Sequence, residues 1–99
     1  MTYLFKLQHT MIKTKITIIN KLGLHARASA KFVSTANQFI SQIDVTKDSQ
    51  TINGKSIMGV MMLAASKGSQ LTFQIEGEDE VEMEKALTQL INNRFDEEE

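Results

Sequence analysis

The sequence contains no cysteine and only two histidines, His9 and His25. Without cysteine the chain can form neither a disulfide framework nor a thiolate metal site, and two histidines are too few for a histidine-rich zinc site. Apolar runs are also short, the longest being the mixed segment 59–65, so no stretch is long enough to cross a bilayer. We therefore expect no metal, no cofactor and no membrane insertion, and a fold that depends on packing alone.

Length and composition indicate one small folded unit. The chain has 99 residues, of which 41% are hydrophobic and 23% are charged. This length allows a single modest core, and the composition differs from that of disordered chains. We expect one domain over residues 11–95, preceded by an N-terminal extension (1–10) and followed by a frayed acidic tail (96–99). His9 is expected to be exposed, and Met11 offers an alternative start.

The N-terminal segment lacks the features of a secretion signal. Its few apolar residues are interrupted by Lys6, Gln8 and His9, and no small-residue cleavage site follows. We therefore expect a cytoplasmic protein.

Charge is distributed unevenly along the chain, although the net charge is only −1. Residues 1–75 contain nine Lys or Arg but only Asp44 and Asp48 as acidic residues, whereas residues 76–99 contain ten Asp or Glu but only Lys85 and Arg94 as basic residues. A basic surface formed by the first part would attract an acidic protein, a phosphoryl group or nucleic acid, and salt would weaken that attraction.

Hydrophobic periodicity predicts four strands and three helices. In chain order they are strand 12–18, helix 26–38, strands 42–46 and 51–53 joined by a polar turn, helix 57–63, strand 71–76 and a helix that begins at Asp79. The order βαββαβα is typical of the split βαβ class of α+β sandwiches, in which one layer of helices covers a four-stranded sheet. The pattern does not determine the order of the strands within the sheet.

Helical spacing assigns an inner face to the first and last helices. In the first helix the inner residues are Ala26, Ala30, Phe32, Val33 and Ala36. In the last helix they are Met83, Leu87, Leu90 and Ile91. Asp79, with Glu82 three residues further on, is predicted to form a capping box at the start of the last helix.

His25 lies between a short loop and the first helix, so it occupies or adjoins the N-cap of that helix. Backbone N–H groups at a helix N-terminus have no partner within the helix and can bind an anion. The partial positive charge there disfavours imidazolium and leaves a neutral ring nitrogen as a nucleophile. The backbone of Ala26 and the guanidinium of Arg27 can then stabilise a phosphoryl group. Taken alone, the pattern also suits an ordinary helix-capping histidine.

Two separated segments resemble one protein family. The run 21–27, KLGLHAR, resembles the active-site signature of HPr, the histidine-containing phosphocarrier protein of the bacterial phosphoenolpyruvate-dependent phosphotransferase system. The run 53–61, NGKSIMGVM, resembles the regulatory-serine segment of the same family, at the spacing found in that family. The similarity covers roughly residues 11–93, and the order of elements in the family agrees with the order predicted above.

This resemblance implies an HPr-like open-faced sandwich, with an antiparallel four-stranded sheet covered on one face by three helices. It implies a monomeric carrier in which His25 carries the phosphoryl group on Nδ1 and Arg27 helps to position it. Enzyme I would donate the group and enzyme II A components, in a sugar or nitrogen pathway, would accept it. Ala28 departs from the family, which commonly has Pro at this position, so we expect altered local stiffness or phosphohistidine lifetime with transfer retained.

The second helix offers a regulatory and a docking hypothesis. Ser56 is a favoured N-cap residue, which alone would explain its presence, and the resemblance implies phosphorylation of Ser56 by HPr kinase/phosphorylase. Among the apolar residues that follow, Ile57, Val60 and Leu63 are expected to pack in the core. A docking patch for acidic partners is predicted to include Met58 and Met61, and the residues assigned to partner docking are Ile57, Met58, Met61 and Lys31.

Three other classes of function compete with the carrier hypothesis. A small-molecule-binding regulatory domain would share the element order and would not use His25 chemically. RNA binding is disfavoured because the chain has no exposed aromatic pair for base stacking, and Phe73 lies on the apolar side of its strand. A stand-alone enzyme is disfavoured because no second acid, base or metal set accompanies His25. We therefore expect a stoichiometric carrier that is a substrate of other enzymes.

Overall fold

The computed structural model describes residues 11–98, and its elements follow the predicted order βαββαβα. The strands are β1 (Ile12–Thr17), β2 (Gln42–Lys47), β3 (Gln50–Asn53) and β4 (Gln70–Glu76). The helices are α1 (Ala26–Ala36), α2 (Ile57–Met62) and α3 (Glu80–Asn92), and a 3₁₀ turn over Arg94–Asp96 follows α3. The predicted extension 1–10, including His9, lies outside the described residues.

The four strands form one antiparallel sheet in the order β1-β4-β2-β3. The strand β4 is central, with Ile16 opposite Leu71 on one side and Val45 opposite Phe73 on the other. The hairpin of β2 and β3 turns at Asp48, whose φ is 56°. This arrangement was left open by the sequence pattern.

The core lies between the sheet and the three helices that cover one of its faces. The inward residues of β2 and β4 are buried as their alternation predicts, whereas Ile12 and Ile16 of the edge strand β1 are half-buried. The rings of Phe32 on α1 and Phe73 on β4 meet edge to face with centroids 5.6 Å apart. The burial of Phe73 agrees with its exclusion from a base-stacking surface. The fully or almost fully buried set also includes Ile18, Ile43, Leu63, Leu71, Ile75, Met83, Leu87, Ile91 and Phe95.

The inner face of α1 differs from the prediction. Ala26 and Ala30 are exposed, whereas Ala28 and Ser29 are buried together with Phe32, Val33 and Ala36. The large ring of Phe32 sets the rotation of the helix, and the residues one turn before it are carried inward with it. Burial of Ser29 is tolerated because its hydroxyl donates to the Leu24 carbonyl at 3.0 Å.

The start of α3 also differs from the prediction, because the capping box of Asp79 and Glu82 is not formed. Asp79 occupies the N-cap, but its side chain makes no capping hydrogen bond to the helix. Its carboxylate instead accepts from the Ser41 hydroxyl at 2.5 Å and from the N–H groups of Ser41 and Ile40 at 2.9 and 3.0 Å. The hydrogen bond from the Ser41 hydroxyl lowers the pKa of Asp79 by more than burial raises it, and the two N–H groups lower it further. Asp79 therefore fastens α3 to the segment before β2.

Within residues 11–98 no helix is long and apolar enough to span a bilayer. The same residues contain no cluster of three or more His, Asp or Glu side chains that could hold a metal ion.

Candidate functional site

His25 is the N-cap residue of α1, as predicted, and it is presented by a tightly held loop. Leu24 N–H donates to the Ala65 carbonyl at 2.8 Å, which fixes the loop against the segment that follows α2. Gly23 adopts a φ of +68°, and a Cβ at this position would lie only 2.4 Å from the Ala65 oxygen. Glycine is therefore required both by the backbone conformation and by the close approach of the two segments.

The two ring nitrogens of His25 face different groups. Nδ1 accepts from the backbone N–H of Arg27 at 3.3 Å, so it faces the first turn of α1. Nε2 contacts the carboxylate of Glu97. An ionised carboxylate favours a proton on the nitrogen it contacts, which leaves the lone pair on Nδ1. The ring is 29% exposed, so an incoming group can reach it.

Glu97 reaches His25 because the chain turns back after α3. Arg94, Phe95 and Asp96 all adopt positive φ, between 54° and 63°. Phe95 is fully buried, and its carbonyl accepts from the Lys31 ammonium at 2.7 Å. The segment expected to be frayed is thus packed against α1 through residue 97. Phe95, a single large apolar residue in a polar stretch, is the sequence feature that could have indicated this packing.

Buried and charged neighbours determine the ionisation of Glu97. Desolvation raises the pKa of Glu97. Hydrogen bonds from Asn20 and His25, together with electrostatic attraction to His25 and Lys31, have a larger combined effect, and the net pKa is lowered. Asn20, which is fully buried, donates to Glu97 at 3.0 Å and to the Gly23 carbonyl at 2.9 Å. Glu97 is therefore ionised at neutral pH. Sequence reasoning identified neither Asn20 nor Glu97 as a site residue.

An open depression lies beside His25. Its lining residues are Lys21, Leu22, His25, Arg27, Glu97 and Glu98. Arg27, in the first turn of α1, is exposed, and so is Ala26. The predicted pair of His25 and Arg27 therefore borders one solvent-accessible surface, which also contains a lysine and two carboxylates.

The second helix presents an apolar outer surface. Ser56 is its N-cap, and the hydroxyl accepts from the Gly59 N–H at 3.0 Å. Val60 and Leu63 are buried as expected, whereas the core prediction for Ile57 is wrong, because this residue is 45% exposed at the first position of the helix. The other exposed apolar residues of α2 are Met58, Met61 and Met62. Lys31, on α1, is half-buried and directs its ammonium to Phe95.

Comparison with known proteins gives consistent results. A family model described as "PTS HPr component phosphorylation site" matches residues 12–93. A phosphocarrier protein HPr from Neisseria meningitidis serogroup A is 59% identical over 87 residues, which cover 88% of this chain and 98% of the relative.

Solved structures agree in fold. The crystal structure of HPr-C-His from Thermoanaerobacter tengcongensis matches with a TM-score of 0.85 and 50% identity, covering 89% of this chain and 99% of that one. An HPr dimer from the same organism matches with a TM-score of 0.71 and 52% identity, covering 83% and 94% of the two chains. Since the family match spans nearly the whole described chain and the relatives are matched over almost their full length, the chain belongs to the HPr family of phosphocarrier proteins of the phosphotransferase system.

Proposed function

We propose that this protein accepts a phosphoryl group from phospho-Enzyme I on Nδ1 of His25 and passes it to enzyme II A components. The observation that carries the proposal is the orientation of the His25 ring, with Nδ1 toward the N-terminus of α1 and Nε2 toward a carboxylate. A nucleophilic nitrogen is thereby directed to the helix end that stabilises negative charge.

The transfer is an in-line displacement at phosphorus. The lone pair of Nδ1 forms the new N–P bond while the bond between phosphorus and the donor breaks, and its electron pair leaves with the donor. Backbone N–H groups of Ala26 and Arg27 and the Arg27 guanidinium stabilise the phosphoryl oxygens. Ala28, the third residue of α1, is buried and retains a backbone N–H that proline would lack. Its presence is compatible with the same chemistry.

We assign the partner-docking surface to exposed residues of α2, with Lys31 at its edge. Ile57, Met58 and Met61 expose apolar area, and flexible thioethers adapt to more than one partner. The hydrogen bond from the Leu24 N–H to the Ala65 carbonyl ties the His25 loop to the segment after α2. This connection supports a binding face that His25 and α2 share. Such a face suits brief encounters between a monomeric cytoplasmic carrier and acidic partner proteins.

Ser56 is proposed as a regulatory phosphorylation site for HPr kinase/phosphorylase. The hydroxyl already lies at the start of α2 and accepts from Gly59. A phosphoryl group there would add negative charge to the docking surface without removing an N-cap acceptor. Its effect would be to repel acidic partners rather than to unfold the helix.

The experiment that tests the carrier function is incubation with Enzyme I, phosphoenolpyruvate and Mg²⁺, followed by intact mass and acid-lability measurements. We expect one acid-labile phosphoryl adduct on the wild type and on the matched variant His9→Ala, and none on His25→Ala. Circular dichroism controls for folding. A well-folded wild type that gains no adduct from a functional donor would contradict the proposal and favour a regulatory binding domain instead.

A further inference from the structure

The contact between Glu97 and His25 combines two half-buried groups far apart in sequence. The side chains are 18% and 29% exposed, respectively, and 72 positions separate them. Glu97 has a second, independent partner in the buried amide of Asn20, which contacts its other carboxylate oxygen at 3.0 Å. A carboxylate held through both oxygens has less rotational freedom than an exposed side chain, so it constrains the ring it contacts.

The backbone of the tail delivers this carboxylate in a defined position. Lys31 holds the Phe95 carbonyl, the Phe95 ring is buried, and left-handed residues reverse the chain before Glu97. Because Nε2 and Nδ1 lie on different edges of the imidazole, Glu97 can contact the ring without covering the nitrogen that faces α1.

We propose that Glu97 is a positioning residue for phosphoryl transfer, which holds His25 in the tautomer with the proton on Nε2 and the lone pair on Nδ1. This inference rests on the proposed function, in which Nδ1 is the phosphoryl acceptor. The Arg27 N–H, 3.3 Å from Nδ1, is a weaker restraint on the tautomer than the carboxylate. Without Glu97, a larger part of the neutral imidazole population therefore has the proton, and not the lone pair, on Nδ1.

The same contact assists the release of the phosphoryl group. When Nδ1 attacks phosphorus, the ring acquires positive charge, and Glu97 stabilises the proton that remains on Nε2. When an acceptor attacks, the N–P bond breaks and its electron pair returns to Nδ1. The group that leaves is then a neutral imidazole with Nε2 still protonated, instead of the far more basic imidazolate. Glu97 thus favours both capture and release.

The test compares Glu97→Ala, which removes charge and acceptor, with Glu97→Gln, which keeps a carbonyl acceptor but removes the charge. Glu82→Gln is the control, because it removes the same charge from an exposed residue of α3 that does not line the depression beside His25. Ring ¹⁵N chemical shifts of His25 at about pH 9, where imidazole is neutral, report the tautomer without any partner protein. Rates of phosphorylation by Enzyme I and of transfer to an acceptor are measured on the same variants.

We expect Glu97→Ala to weaken the preference for the Nε2–H tautomer, which the Arg27 N–H at 3.3 Å then supports alone. Both transfer steps should slow about tenfold, the effect of one partly exposed charge-assisted hydrogen bond. Glu97→Gln should keep most of the tautomer preference and show a smaller loss of rate, and Glu82→Gln should match the wild type. An unchanged tautomer and unchanged rates in Glu97→Ala would overturn the inference. Failure of the carrier function would appear separately, as absence of an adduct on the wild type.

Discussion

Gly23 connects backbone conformation to the position of His25. Its φ of +68° lies in the left-handed region, and a Cβ at this position would lie 2.4 Å from the Ala65 oxygen, so no side chain fits. Gly68 also has a positive φ, +94°, but a Cβ there would meet nothing within 4 Å. Comparing substitutions at the two glycines therefore distinguishes the free-energy cost of the backbone conformation from the cost of a steric clash.

We predict that Gly23→Ala lowers the free energy of unfolding by about 3 kcal/mol or more, since overpacking adds to the left-handed penalty. Gly68→Ala should cost only about 1–2 kcal/mol, from the backbone penalty alone. Urea unfolding at equilibrium measures both. Equal losses in the two variants would show that the contact with Ala65 does not constrain the loop.

The short helix α2 combines a buried anchor with an exposed surface. Val60 is 1% exposed and Met58 is 71% exposed, so one side of the helix contributes to the core and the other is available to partners. Ser56 begins the helix, and a change there affects both its cap and the charge of its surface.

We predict that Ser56→Asp keeps the stability of α2 but slows phosphorylation of His25 by Enzyme I about tenfold. Aspartate remains a good N-cap residue, while its charge repels an acidic partner. Ser56→Asn is the control, because it preserves the cap without adding charge. Initial rates of adduct formation measure the effect, and equal rates for the two variants would contradict the regulatory proposal.

Asp79 makes the junction between α3 and the segment before β2 sensitive to acid. In the folded protein the hydrogen bond from the Ser41 hydroxyl lowers the pKa of Asp79 by more than burial raises it. The N–H groups of Ile40 and Ser41 lower this pKa further. A carboxyl group whose folded pKa lies below its unfolded value contributes stability above the unfolded pKa. That contribution is lost as the pH falls through the folded pKa.

We therefore predict that Asp79→Asn lowers the melting temperature at about pH 7, and that its difference from the wild type shrinks below about pH 4. Glu78→Gln, at the exposed neighbouring position, should have little effect at either pH. Thermal unfolding followed by circular dichroism at several pH values tests this. A difference that stays constant down to about pH 2 would show that the Asp79 charge is not responsible.

At the scale of the whole molecule, folding brings part of the acidic C-terminal segment next to basic residues. The acidic C-terminal segment places Glu97 and Glu98 beside Lys21 and Arg27 at the depression next to His25. The surface offered to a partner is therefore less basic than the first 75 residues alone would suggest. The docking proposal still includes long-range attraction of acidic partner proteins, which Arg27 and Lys31 exert.

We predict that the second-order rate of phosphorylation by Enzyme I falls about fivefold between about 50 and 500 mM NaCl, because salt screens attraction between separated charges. The melting temperature over the same range serves as the control for folding. A rate that does not change with salt would indicate that apolar contacts of α2 dominate the encounter.

The order of the elements and several of their local features followed from the sequence. Alternation placed Ile43, Val45 and Phe73 on inward faces of strands, and the KLGLHAR run placed His25 at the start of α1. These features depend on residues close together in the chain, whose periodicity and capping preferences are visible in the sequence.

Only the tertiary structure decided which distant segments meet. The central position of β4, the rotation of α1 that buries Ala28 instead of Ala26, and the use of Asp79 as a partner of Ser41 all depend on packing across the molecule. The contact of Glu97 with His25 spans 72 positions and requires the chain reversal after α3. No local pattern encodes such a contact, because its free energy comes from the assembled core and not from the segments themselves.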